Sequence, residues 1–276
     1  TNDVDAVNSM WSHLYDGVRE ANKLIDGLQE SAGDPAIDIS IAKLKTLRAL
    51  FMYMVMDNYG DVPLITSFTN APEFPTKATR QEVYDFLVVD MKAAIPLLPL
   101  NSNKFAVNKG MGYTLLAKLY LNAEIYTGNP AYDKAEAVCD SIIGLGIYTL
   151  DNTVTAPFSA TNVNVSENIF TILFDEFDAQ GFRLHMRTLH YLNDKTFGMK
   201  VGPWNGFAIL EDHYESYSDG DKRKEEWFLA GQQFDLGGSK LFDETAGEDL
   251  ILTPEIPALV MGAGNTSSEI RMSGVR

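Results

Sequence analysis

The stretch KGMGYTLLAKLYLNAEIYTGNPAYDKAEAVCDSIIG, residues 109–144, decides the fold. Apolar side chains recur through Lys109–Tyr126 at helical spacing, and Gly128 follows as a C-terminal glycine. Asn129 is expected to cap a second helix, with Pro130 at its first position and Gly144 at its end. Tyr132, Ala135, Val138, Cys139, Ile142 and Ile143 then form the inner face of that helix. Two helices joined by so tight a turn make a hairpin.

Leu119, Ala123 and Tyr126 fall at the large, small and aromatic positions of a tetratricopeptide-type repeat, whose period is ~34 residues. Tyr132, Ala135, Cys139 and Ile142 fall in the matching register of the second helix, and Asn122 stands where a leucine is usual. Ala123 and Ala135 are small enough for the two helices to approach closely. An ordinary α-bundle is the alternative.

Upstream, Met10–Leu28 carries one apolar stripe, from Met10 and Trp11 through Leu14, Val18, Ala21 and Ile25 to Leu28. Ile41–Tyr59 has an apolar centre, Ala49–Met56, in which only Val55 is β-branched. It therefore reads as a buried helix and not a strand. At that length it is far short of the ~20 residues a membrane span requires. Thr79 and Glu82 have the spacing of a capping box, and the helix they open is expected to kink at Pro96 and to end at Pro99. These two helices form a second candidate pair, split by an insertion, Gly60–Ala78.

From Leu150 the helical period fades. Ile169–Phe174, Glu226–Phe234 and Leu250–Thr253 read as strands, Phe207–Tyr217 as a short helix, and Asp175–Pro203 as irregular chain. Both halves, 1–149 and 150–276, are taken as one domain that is mainly α.

The chain has 276 residues, 22 Lys and Arg, 38 Asp and Glu, and a formal charge of −16. Nucleic-acid affinity rests on cations that neutralise phosphates, so a nucleic-acid partner is excluded. One cysteine, Cys139, excludes intrachain disulfides and Cys-rich zinc sites, and its helical position makes it a buried apolar residue. No phosphate loop, HExxH or GxSxG motif is present, and no catalytic residue, metal or cofactor is expected. His185 and His190 have no ligand spacing and read as solvated loop residues. Asp175, Glu176 and Asp178 read as a solvated acidic loop. Ser218–Asp221 lacks the later ligands of a calcium loop and reads as a turn.

Aromatic residues outside the helical stripes carry the remaining chemistry. A sugar ring offers an apolar C–H face and a hydroxyl rim, which suits an aromatic platform flanked by amides. Trp204 and Asn205 form such a pair, and Tyr191, Phe197 and His190 join them as candidate ligand-binding residues; Phe68 and Phe74 are further loop aromatics. The alternative is that Trp204 plugs the core.

The run Leu47-Arg48-Ala49-Leu50-Phe51-Met52-Tyr53, followed by Asp57-Asn58-Tyr59-Gly60-Asp61-Val62-Pro63-Leu64, resembles the signature of the SusD/RagB family. Further segments arrive in that family's order. They are Trp11-x-x-Leu14-Tyr15, Thr79 to Phe86, Leu97-Leu98-Pro99, Asn108 to Leu121, Ser166 to Phe170, Asn205-Gly206-Phe207 and Asp219 to Arg223. The resemblance runs over residues 10–224. It implies a superhelix of tetratricopeptide-like pairs with a loop-rich region packed on it. It also implies a non-catalytic lipoprotein of the Bacteroidetes outer membrane that binds an oligosaccharide or peptide nutrient at the cell surface. Its implied partner is a SusC-like TonB-dependent transporter barrel, and its membrane attachment is a lipid anchor that this sequence does not contain. Against the family's length the chain reads as incomplete at both ends, with helices expected after Arg276. A protein–protein scaffold of tetratricopeptide type is the alternative function, and an enzyme comes third.

Overall fold

The computed structural model describes residues 5–101, 103–175, 177–254 and 271–272. Glu176 and most of the chain after Pro254, both subjects of sequence expectations, lie outside them. The fold is mainly α and tetratricopeptide-like, and its contacts gather the chain into two units. One comprises Thr1–Thr149 with Asn168–Ile172, the other Leu150–Glu167 with Leu173–Arg276.

The first unit is helical. α1 (Asp5–Leu28) packs on α2 (Pro35–Tyr59), α2 on α3 (Arg80–Ala94), and α4 (Lys109–Leu121) on α6 (Tyr132–Gly144), with the short α5 (Ala123–Thr127) between the last two. α2 starts six residues earlier than its apolar pattern indicates. The Asp34 carboxylate accepts the N–H of Ala36 at 2.8 Å, and Pro35 occupies the first helical position. The Thr79–Glu82 capping box forms as expected: the Thr79 hydroxyl accepts the Glu82 N–H at 3.2 Å, and the Glu82 carboxylate accepts the Thr79 N–H at 2.8 Å. A 3₁₀ turn, Ile95–Leu97, follows α3 at Pro96.

The core of this unit holds Val18, Met52, Val55, Met56, Val83, Leu87, Met91 and Leu119. Close approach is bought with small residues. Ala123 and Ala135 are both buried where the hairpin helices meet, and a Cβ on Gly17 would lie 2.7 Å from the Phe51 ring. Gly128 is left-handed (φ 76) and closes α5 as predicted.

Three expectations about the hairpin fail. Lys109–Tyr126 is broken at Asn122, whose side chain turns back to the Lys118 carbonyl at 2.9 Å. α6 begins at Tyr132 and not at Pro130. Of its expected inner face only Ala135 is buried; Tyr132 and Ile143 are exposed, and so is Cys139. A repeat buries its outer face only when a further repeat stacks on it. Among the described residues of this unit, no further hairpin follows α6.

The insertion Gly60–Ala78 is pinched at its base by β1 (Val62–Pro63) and β2 (Lys77–Ala78), antiparallel with Val62 opposite Ala78. It is tied down by buried polar groups that periodicity does not reveal. Arg48 is 4% exposed on α2 and donates to the Asn22 amide oxygen (2.8 Å), the Thr66 carbonyl (2.9 Å) and Asp90 (2.5 Å). Lys45 pairs with the other Asp90 oxygen at 3.1 Å.

The second unit is built from loops and short elements: α7 (Leu184–Thr188), α8 (Asn193–Phe197), α9 (Glu211–Glu215) and α10 (Lys222–Trp227). β3 (Phe228–Leu229) pairs with β8 (Arg271–Met272), β4 (Gly231–Gln232) with β7 (Ile251–Leu252), and β5 (Phe242–Asp243) with β6 (Glu248–Asp249), all antiparallel. Leu241, Leu250 and Leu252 form a small core. Trp227 donates its indole N–H to the Val154 carbonyl at 2.7 Å.

Sequence expectations are least accurate here. Ile169–Phe174 forms no strand: the Thr171 N–H donates to the Lys104 carbonyl at 2.8 Å, a single bond and not a ladder, and Ile172, Leu173 and Phe174 are exposed. The expected strand Glu226–Phe234 is split into β3 and β4 before the left-handed Gly231 (φ 72). The helix expected at Phe207–Tyr217 shortens to α9. Asp221 caps α10 by accepting the Arg223 N–H at 2.9 Å, the turn-forming role expected of that segment.

A candidate ligand platform around Trp204

Trp204 follows the Gly202-Pro203 turn, and its backbone hangs on the α7 segment. Trp204 N–H donates to the Met186 carbonyl at 2.6 Å, and Asn205 N–H to the Leu189 carbonyl at 3.1 Å. The N–H groups of Gly206 and Phe207 both donate to the Arg187 carbonyl, at 2.9 and 2.7 Å. This contact is so close that a Cβ on Gly206 would lie 3.2 Å from that oxygen. Asn205 has φ 55, the one positive φ at a non-glycine among the described residues, and asparagine tolerates that region better than most side chains.

A held backbone thus carries an exposed ring. Trp204 is 50% exposed, so it does not plug a core. Phe207 beside it is also exposed. The Arg187 guanidinium lies 5.5 Å from the Trp204 ring centroid, within cation–π range. Arg187 was not among the sequence candidates, because one arginine in a loop gives no periodic signal.

Tyr191 and His190 are placed differently. Their rings meet at 4.1 Å, and His190 is fully buried, which corrects its reading as a solvated residue. The Tyr191 hydroxyl donates to Asp243 on β5, itself 3% exposed, and His190 Nε2 lies 3.9 Å from the same carboxylate. Burial, then the bond to Asp243, pushes the Tyr191 hydroxyl up to about 12. Burial alone raises the Asp243 carboxyl, but the Tyr191 hydroxyl, the Thr245 and Ala246 amides and the His190 charge together hold it below the ordinary carboxylate range. The His190 N–H donates to Asn193 Oδ1 at 3.0 Å, and Asn193 reaches Gln233 at 3.4 Å. These groups form a buried polar network that fixes the chain immediately after α7.

The five sequence candidates therefore divide. Trp204 and Asn205 share the exposed turn; His190 and Tyr191 sit together in the network behind α7. Phe197 lies half-buried at the end of α8. His185 is half-buried against Phe182 at 5.7 Å, and burial lowers its pKa. Asp175 accepts the N–H groups of Phe177, Asp178 and Ala179, so it builds a turn. Among the described residues, no group of three or more His, Cys, Asp or Glu is placed to hold a metal ion.

A second concavity lies in the first unit and was missed in the sequence. A pocket of about 260 Å³ is lined by Tyr15, Val18, Asn22, Ile65, Phe68 and Ala71, with Asp16 and Arg19 also lining it. Its loop wall is held by Asp26, which accepts from the Ser67 hydroxyl (2.8 Å) and from the N–H groups of Phe68 and Thr69 (both 2.9 Å). Those bonds, that of Thr69 foremost, lower the Asp26 pKa. Tyr15 and Asn22 add bonds to the Pro63 and Ile65 carbonyls at 2.8 and 2.9 Å.

Residues 1–121 match the SusD-like family described as "Starch-binding associating with outer membrane". Over this first part the chain is similar to SusD-like proteins. The starch-binding protein SusD of Bacteroides thetaiotaomicron is 30% identical over 123 residues, which are 44% of this chain and 22% of that protein. A SusD-like protein of Bacteroides ovatus is 26% identical over 121 residues, 42% of this chain and 22% of that relative. The match thus spans about a fifth of these curated relatives.

Among solved structures, a SusD superfamily protein of Parabacteroides distasonis superposes with a TM-score of 0.76 at 19% identity, covering 98% of this chain and 55% of its own. Surface glycan-binding protein A of Bacteroides thetaiotaomicron, solved with laminarihexaose, gives 0.67 at 23% identity over 80% of this chain and 49% of its own. At these identities the SusD-like likeness is one of fold.

Proposed function

We propose that the chain is part of a cell-surface protein that binds an oligosaccharide without cleaving it and delivers it to a SusC-like TonB-dependent transporter. The observation that carries this reading is the match of residues 1–121 to a family described as starch-binding and associated with the outer membrane. The laminarihexaose bound by one fold relative supports it. In this reading the two units serve as one SusD-like domain, held at the outer membrane by a lipid. The second unit offers the sugar an indole face at Trp204 with the Asn205 amide beside it, and His190, Tyr191 and Phe197 support that platform.

The chemistry fits the proposal. Binding without cleavage needs apolar area and oriented hydrogen bonds, and it needs no paired acid and base. A half-exposed indole on a fixed backbone loses little conformational entropy when a sugar ring stacks on it.

Affinity electrophoresis of the protein in gels of different polysaccharides tests the reading. Retardation by at least one polysaccharide, with unchanged glycan size after prolonged incubation, is the expected result. Retardation by none, or steady release of shorter sugars, refutes it. Co-purification from native outer membranes tests the partner: a stoichiometric barrel is expected, and a soluble peptide-bearing partner in its place supports a scaffold.

A further inference from the structure

We infer that the Trp204 platform takes an acidic glycan, one whose sugar rings carry carboxylates, with Arg187 as the residue that selects the charge. This rests on the proposed function, since it names the class of sugar for that same site. The protein as a whole is strongly acidic, with a formal charge of −16. The segment beside Trp204 is the reverse: Arg183, Arg187, Lys195 and Lys200 face a single acidic residue, Asp194, between positions 183 and 200. The Asp194 carboxylate accepts the backbone N–H of Lys195 at 2.7 Å.

Arg187 is the member of this group fixed against the platform. Its carbonyl receives the Gly206 and Phe207 N–H groups, and its guanidinium lies 5.5 Å from the Trp204 ring centroid. Among the described residues, no carboxylate lies within ion-pair distance of Arg187 or of Arg183. Elsewhere on this acidic chain exposed arginines find acids, as Arg19 does with Asp16 and Glu20 and Arg223 does with Asp221.

An exposed guanidinium with no carboxylate in ion-pair reach among the described residues, beside an exposed indole, matches the two parts of a uronate. The indole takes the C–H face of the ring. The planar N–H fork takes the carboxylate in two parallel hydrogen bonds, a geometry a lysine does not reproduce. The surrounding negative charge of the protein disfavours polyanions in general, so the positive segment also fixes where such a chain can lie.

The test compares polygalacturonate with the same polymer after reduction of its carboxyl groups, and alginate with amylose, in affinity gels and by calorimetry. The full chain is expected to bind the acidic member of each pair at least about tenfold more tightly, the scale of one charge-assisted bond. Raising the salt concentration should weaken that preference. Arg187→Gln should remove it, Arg187→Lys should restore it only in part, and circular dichroism should show both variants folded. Equal or better binding of the neutral polymers, or an acidic preference that survives Arg187→Gln, overturns the inference and leaves glycan binding standing. Binding of neither class overturns both.

Discussion

Replacing Arg48 with methionine should unfold the first unit far more readily, by about 4 kcal/mol. The Met stem keeps most of the apolar contact, so a cavity adds little, while the guanidinium 5.2 Å from the Phe86 ring centroid is lost. What is lost is polar. Asp90, 7% exposed, loses its partner at 2.5 Å but keeps Lys45 at 3.1 Å. That places the cost toward the lower end of the 3–5 kcal/mol range for breaking a buried pair, about 3 kcal/mol. The fully buried Asn22 loses the donor to its amide oxygen, which adds about 1 kcal/mol. Removing both charges, in Arg48→Met with Asp90→Leu, should cost less than Arg48→Met alone, since no buried carboxylate is left short of partners. Urea unfolding followed by far-ultraviolet circular dichroism reads the helices of this unit directly. A single-variant loss below about 1 kcal/mol refutes the reasoning, as does a double variant whose cost equals the sum of the two single ones.

Trp204→Ala should leave urea unfolding unchanged and weaken glycan binding by at least about 2 kcal/mol in calorimetry, the scale of a lost aromatic anchor. Unchanged affinity would remove Trp204 from the site. Gly112→Ala, whose new Cβ would lie 2.7 Å from Leu98 and 2.9 Å from Ile95, should destabilise the first unit by about 1–3 kcal/mol, measured by the same denaturation. Tyr191, raised from 10.0 to about 12, should ionise late in an alkaline absorbance titration. Its folded pKa lies above its unfolded one, so its contribution to stability is complete below pH 10.0 and is lost as pH rises toward about 12. A Tyr191→Phe variant with the same alkaline unfolding profile would contradict this.

Legibility followed the range of the interactions. Helices α1 and α3 were readable from an apolar stripe and α2 from its apolar centre, and caps such as Thr79–Glu82 act over three residues; α4 and α6 were located by helical spacing, although most of the expected α6 face is not buried. The strands were misread because pairing depends on a partner chosen by the fold: Ile169–Phe174 has strand composition and no ladder. The site was half legible. Trp204 and Asn205 stand together in sequence, next to a Gly-Pro turn. Arg187 is 17 residues upstream of Trp204, and the backbone bonds that join them have no sequence signature. His190 and Tyr191 looked like surface groups until Asp243, more than 50 residues on, was seen to enclose them.

The sequence by itself determined the helical first half, its tetratricopeptide-like hairpin and the family resemblance, because apolar periodicity and short motifs are local properties of the chain. The tertiary structure decided which polar groups are buried and which rings stay exposed. Arg48 looks like any surface arginine on α2, and Trp204 like any core tryptophan, yet the first is buried and the second half bare. Burial is a sum over neighbours brought from far along the chain. The desolvation it imposes, and the partners that offset it, exist only once those neighbours have met.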